Sequence, residues 1–136
     1  MQRMETMQPN YRIFLVEDDE QVSNALTELL NALPGVEVAM CATSEQAAID
    51  WLSENQKSWN LSVVDLALGA GSGLRVLSAC RVRKSNQKMV VLSNHLDREM
   101  KRRCLSLGAD AAFEKMSEME KVLDYCRAAS RAAAGS

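Results

Sequence analysis

Five side chains far apart in the sequence have types that do chemistry when brought together: Glu17, Asp18, Asp65, Ser93 and Lys115. Carboxylates held close raise one another's pKa and strain the fold unless a cation or an ammonium offsets their charge. A few hard oxygen ligands suit Mg²⁺, which keeps several waters and accepts phosphate oxygens, better than Zn²⁺ or Ca²⁺. An aspartate in such a setting can attack phosphorus and form an acyl phosphate, because metal and cation screen the phosphoryl oxygens. Asp65 is the candidate nucleophile: it lies between the acid pair and the segments of Ser93 and Lys115, and Gly69, Gly71 and Gly73 leave room above it. Lys115 would pair with one phosphoryl oxygen, and the Ser93 hydroxyl would donate to another.

Each residue taken alone has a plainer role. Acids between a strand and a helix often cap the helix, and Asp19 and Glu20 are expected to do only that. Asp65 alone reads as a turn former, Ser93 as a helix-entry residue and Lys115 as a solvated charge. What raises them above these readings is shared placement, which depends on the elements that carry them.

Short apolar runs recur as candidate strands: RIFLV at 12–16, VEVAMC at 36–41, LSVV at 61–64, MVVL at 89–92 and AAF at 111–113. Between them the period changes. Val22, Ala25, Leu26, Leu29, Leu30 and Leu33 follow helical spacing and stop at Pro34 and Gly35. Shorter helical patterns surround Trp51, Leu77, Cys104 and Leu123. Strand then helix, five times, without hairpin dipeptides, predicts one doubly wound α/β sandwich with a parallel sheet and helices on both faces. Ligands of such sheets bind beyond the carboxyl ends of the strands. Glu17 and Asp18 follow the first strand, Asp65 the third, Ser93 the fourth and Lys115 the fifth, so all five belong to one rim. No Gly-rich phosphate loop follows the first strand, which disfavours a mononucleotide.

Composition agrees with a single globular unit. The 136 residues are 47% hydrophobic and 25% charged, with a formal net charge of −2, so bulk attraction to nucleic acid or anionic membrane is not expected. No stretch reads as a signal peptide or membrane span, and a cytoplasmic location is expected. Residues 1–10 read as a flexible leader, 11–130 as the domain and 131–136 as a tail that frays. Cys41, Cys80, Cys104 and Cys126 lack metal-ligand spacing and read as reduced, packed thiols. Met40 and Met89 read as core fillers.

The acid pair, DLALGAGSGL, VVLSN and GADAAFEK, in this order and at this spacing, resemble the receiver domain of two-component response regulators, over nearly the whole chain. The resemblance implies a five-stranded sheet in the order 2-1-3-4-5, an arrangement for which a receiver protein is a standard illustration. It implies Mg²⁺-dependent phosphoryl transfer to Asp65 from a sensor histidine kinase or phosphotransfer protein. Position by position, it implies Asp18 as a direct Mg²⁺ ligand, Glu17 acting through a water, a further oxygen from Asp65, and the backbone carbonyl of Ala67. It also implies that Ser93 and Lys115 contact the phosphoryl group. The face of the fourth helix, fifth strand and fifth helix would bind a downstream protein target, and phosphorylation-linked homodimerisation is a further outcome. Neither direct nucleic-acid binding nor a membrane is implied.

The chain departs from the family's pattern at three places. Gly69 stands where a proline is usual, and Met116 follows the lysine in place of another, so a cis peptide is not expected there. Ala112 replaces the switch aromatic, and Phe113, one place later, is expected to face the opposite side of the sheet. His95, the one histidine, is expected near the site entrance, where with Ala67 it would tune the lifetime of the acyl phosphate. Two rival readings stand beside a signalling module that is not an enzyme. One is a Mg-dependent aspartyl-phosphate phosphatase, which needs a general acid where Ala67 stands. The other is a scaffold of the same fold that binds without phosphorylation.

Overall fold

The computed structural model describes residues 10–94 and 96–135. Five strands alternate with five helices: β1 (Tyr11–Val16), α1 (Glu20–Asn31), β2 (Val36–Ala42), α2 (Glu45–Glu54), β3 (Leu61–Val64), α3 (Gly73–Cys80), β4 (Lys88–Ser93), α4 (Arg98–Ser106), β5 (Ala111–Glu114) and α5 (Met119–Ala134). All strand pairs are parallel, and the sheet order is β2-β1-β3-β4-β5. The order reverses between β1 and β3, which places the carboxyl ends of those two strands at the crevice where such sheets bind ligands.

Period-two alternation divides the core. Ile13, Leu15, Leu61, Val63, Val90 and Leu92 point to one face, where Leu26 and Leu30 of α1 and Val122 and Cys126 of α5 cover them. Phe14, Val16, Val64, Met89 and Val91 point to the other, beneath Ala48 and Leu52 of α2, Val76, Leu77 and Cys80 of α3 and Cys104 of α4. Burying a Leu or Val of this kind contributes about 1.5–3 kcal/mol. Trp51 stacks on Phe14 with ring centroids 4.5 Å apart, closing the α2 side. Leu29, read as part of the apolar stripe of α1, is 44% exposed, because Leu26 and Leu30 carry the line of contact with the sheet.

Caps set the helix starts. Asp19 accepts from the backbone amides of Gln21 and Val22, Ser44 from Ala47, Ser72 from Leu74 and Asp97 from Met100. The turn into β2 uses Gly35 at φ +75°, a left-handed conformation that favours glycine. Helix α5 continues through Ala134, into the segment read as a fraying tail. Alanine is the strongest intrinsic helix former, and the run of three at 132–134 extends the helix while burying nothing. Residues 1–9 of the expected leader, Ser136 of the tail and His95 lie outside the described residues. Among the described residues, no helix is long and apolar enough to cross a membrane.

Candidate functional site

The structure brings Glu17, Asp18, Asp65, Ser93 and Lys115 together at the carboxyl edge of the sheet. Strand β1 runs directly into Glu17, whose backbone amide donates to the carbonyl of Ala42 on β2. Strand β3 delivers Asp65, whose amide donates to the carbonyl of Val16. Strand β5 ends beside β4, and the Lys115 amide donates to the carbonyl of Ser93 at 3.0 Å. Glu17, Asp65, Ser93 and Lys115 are therefore tied by their own backbones to neighbouring strands.

The side chains converge on Asp65, which is 6% exposed. Its Oδ1 accepts from the Ser93 hydroxyl at 2.8 Å and from the Ala67 amide at 3.1 Å. Its Oδ2 accepts from the Lys115 ammonium at 2.9 Å, and the same ammonium donates to Glu17 Oε1 at 2.7 Å. Glu17 is 2% exposed, and its second oxygen accepts the Asp19 amide at 3.1 Å. Burial pushes the Glu17 carboxyl above the usual carboxylate range, with hydrogen bonds from Lys115 and the Asp19 amide opposing. Burial works to lower the Lys115 pKa, but hydrogen bonds to two carboxylates outweigh it, and the ammonium is held above its ordinary value. The direction that governs the site is that of Lys115: one ammonium shared by two acids stays charged, and each acid has only a share of its compensation.

Asp18 completes the group from the solvent side. Oxygens of Glu17, Asp18 and Asp65 lie within 4.8 Å of one another. Three carboxylates face one ammonium, and the most exposed of them, Asp18, opens the cluster to water. This donor set, all hard oxygen and under-compensated in charge, fits a divalent cation that keeps part of its hydration shell.

The acid-rich run after β1 divides between the helix and the cluster. Asp19 caps α1 and Glu20 lies in its first turn, whereas Glu17 and Asp18 turn to the cluster. Ala112 packs on the face of the sheet covered by α2, α3 and α4, and Phe113 on the opposite face, where it meets the Tyr125 ring edge-on at 6.1 Å. Phe113 is thus a packing residue of α5. Among the described residues no peptide bond is cis, so the Lys115–Met116 bond is trans.

Two contributors were not legible in the sequence. Glu45 opens α2 and reaches across to the β3–α3 loop, where its Oε1 accepts the Ser72 amide at 2.8 Å and its own amide donates to the Ala70 carbonyl. Glu118 accepts the Glu114 amide at 2.8 Å and pairs with Lys101 and Lys121, bracing the turn that follows Lys115. Neither has a spacing signal, because each meets a partner chosen by the path of a loop.

The comparisons with known proteins agree with this architecture. The model of the response regulator receiver domain matches residues 13–127. A cyclic di-GMP phosphodiesterase of Thermotoga maritima is 28% identical over 108 residues, which are 79% of this chain and 28% of that protein, so the chain spans little more than a quarter of its length. The receiver domain of a Francisella response regulator superposes with a TM-score of 0.77 at 17% identity, covering 91% of this chain and 99% of that one. A Burkholderia pseudomallei response regulator, solved with a phosphorylated aspartic acid, a calcium ion and citrate, gives a TM-score of 0.73 at 22% identity, covering 93% and 72%. With an acidic cluster at the switch point of a 2-1-3-4-5 sheet and a family match across nearly all of its elements, the chain belongs to the response regulator receiver domain family.

Proposed function

We propose that this domain is a phosphorylation-controlled signalling module in which Asp65 accepts a phosphoryl group from the phosphohistidine of a sensor kinase or phosphotransfer protein. The observation that carries the reading is the setting of Asp65: a buried carboxylate held by Ser93, Lys115 and the Ala67 amide, beside two further acids. An Asp65 oxygen forms the new bond to phosphorus as the bond from phosphorus to the donor histidine nitrogen breaks. Lys115 and Ser93 exchange their hydrogen bonds to Asp65 for bonds to phosphoryl oxygens, so the donors are in place before the charge arrives.

Asp18 directly, Glu17 through a water, Asp65 and the Ala67 carbonyl would hold Mg²⁺. When bound, the cation neutralises charge on the phosphoryl oxygens. The rest falls to the chain's own residues: Asp65 is oriented, and its buried flank excludes water. Ala67 has no proton to give at the position where a phosphatase would need a general acid, which supports a signalling module over an enzyme.

Phosphorylation adds about −1.5 to −2 charge at one end of the sheet and shifts the balance of packings across α4, β5 and α5. Arg98, Lys101, Arg102 and Arg103 make α4 basic, which suits an acidic protein target or a second copy of the domain. Intact mass after incubation with Mg²⁺ and a small acyl-phosphate donor tests the assignment. A phosphoryl adduct is expected on the wild type and none on Asp65→Asn. An adduct that survives in the Asn variant, or none on either protein, would overturn it.

A further inference from the structure

The β3–α3 loop, residues 65–72, carries the Ala67 amide that holds Asp65 Oδ1, and it follows the exposed edge of the cluster, where the Gly69 amide donates to Asp18 Oδ2. Within the loop, Ser72 pairs with Ala67 in an isolated antiparallel bridge and Leu68 enters the core. The anchor from outside is Glu45. It stands in the first turn of α2, whose start Ser44 caps, so its backbone is fixed. Its Oε1 accepts the Ser72 amide at 2.8 Å across 27 residues of sequence, and its own amide donates to the Ala70 carbonyl at 3.4 Å. The Glu45 side chain is 17% exposed, and a hydrogen bond to an ionised acceptor partly withdrawn from water is stronger than one between neutral groups. Arg75 approaches Oε2 only to 3.7 Å and is 77% exposed, so that pair adds little. Gly71 is shaped to the contact: its φ is +112°, and a Cβ there would stand 2.5 Å from Glu45 Cβ. Ser72 in turn caps α3 through the Leu74 amide, so what Glu45 holds is the start of that helix as well as the end of the loop.

We propose that Glu45 is a positioning residue for the phosphoryl chemistry of Asp65, setting the lifetime of the acyl phosphate by holding the β3–α3 loop against α2. The proposal rests on the reading of Asp65 as the phosphoacceptor, and it adds a residue from an element that contributes no group to the site. The acyl phosphate is lost when a water oxygen bonds to phosphorus as the bond from phosphorus to the Asp65 oxygen breaks. The carboxylate is then free, and the departing inorganic phosphate keeps the water's oxygen and both its protons until solvent takes one. A held loop keeps the Ala67 amide on Asp65 Oδ1 and limits the water that reaches phosphorus, and a released loop does neither.

The test loads the wild type, Glu45→Ala and Glu45→Gln with Mg²⁺ and a small acyl-phosphate donor, removes the donor, and follows loss of the phosphoryl adduct by intact mass, with thermal unfolding of each protein by circular dichroism. Glu45→Ala is expected to lose its adduct roughly fivefold faster than wild type, the weight of one net hydrogen bond in the balance between held and released loop. Glu45→Gln, whose side-chain carbonyl still accepts the Ser72 amide, is expected to stay within about twofold of wild type. An adduct on Glu45→Ala as long-lived as that on wild type, or longer-lived, overturns the proposal alone, even where the melting point falls, because the role of Glu45 is then merely structural. Equal shortening in both variants also overturns it, since charge rather than acceptance would be the requirement. A wild-type protein that takes no adduct overturns the phosphoacceptor reading, and the proposal with it. A second measurement needs no variant. In the unphosphorylated wild type the Ser72 amide is expected to exchange with solvent deuterium well below its free-peptide rate; exchange at that rate overturns the proposal even if Glu45→Ala fails to fold.

Discussion

The Lys115 ammonium reaches Asp65 Oδ2 at 2.9 Å across 50 residues of sequence, and the same nitrogen lies 2.7 Å from Glu17 Oε1. One cation therefore compensates two buried acids while remaining within reach of whatever Asp65 receives. Removing one partner of a buried ion pair typically costs about 3–5 kcal/mol, because the charge left behind is uncompensated. Lys115→Ala is expected to lower unfolding free energy by about that amount in metal-free urea titrations, and by clearly less when Mg²⁺ is present. An identical loss with and without Mg²⁺ would argue against a cation among these carboxylates.

Gly73 marks the closest approach of α3 to the site. A Cβ there would lie 2.1 Å from the Asp65 carbonyl oxygen and 2.6 Å from Leu66 Cα, both backbone atoms that cannot step aside cheaply. Gly73→Ala is expected to cost at least about 1–3 kcal/mol, the usual range for overpacking, and to impair phosphoryl acceptance at Asp65 by shifting its backbone. Gly135→Ala serves as the control, since a Cβ there meets its nearest atom at an ordinary 3.5 Å. Comparable melting points for the two variants would sink this reading of Gly73.

Glu118 gives the turn after Lys115 a dependence on acid. The Glu114 amide, then Lys121 and Lys101, hold its carboxyl down at about 2. A carboxyl whose folded pKa lies below its unfolded value, near 4.3 for Glu, contributes stability that is present above the unfolded value. That contribution is lost as pH falls through the folded one. Carbon-detected NMR titration should find Glu118 still ionised at pH 3, and Glu118→Gln should show a shallower fall in stability between about pH 4.5 and 2 than wild type. A midpoint near the ordinary Glu value would remove the bracing role.

The four thiols should separate by burial. Desolvation pushes Cys126 up to about 12 and Cys80 to about 11, and Cys104 is raised from the same cause. All three are buried, whereas Cys41 is half-buried. At neutral pH an aromatic disulfide reagent is expected to titrate Cys41 first and slowly, and the other three only after denaturation. Rapid modification of Cys80, Cys104 or Cys126 in the native protein would contradict the packing described for both faces of the sheet.

Much of this protein was determined by the sequence alone, where the signal is local. Short, near-continuous apolar runs placed β3 at Leu61–Val64 and the other strands within a residue or so of their observed bounds, because strands of a parallel sheet are buried on both faces, between which successive side chains alternate. The same alternation put Ala112 and Phe113 on opposite sides. The rim of Glu17, Asp18, Asp65, Ser93 and Lys115 was legible because parallel strands bring all their carboxyl ends to one edge. The extent of α5 was not, since a run of alanines extends a helix without the apolar stripe by which helices are read. Tertiary structure alone decided that Lys115 serves Glu17 as well as Asp65, that Glu45 and the Gly69 amide brace the β3–α3 loop and Asp18, and that Glu118 locks the turn behind Lys115. These are contacts between a carboxylate and an amide or ammonium whose position depends on the full path of a loop. Period and composition carry the direction in which a side chain leaves its element, but not which distant backbone group a loop will set against it.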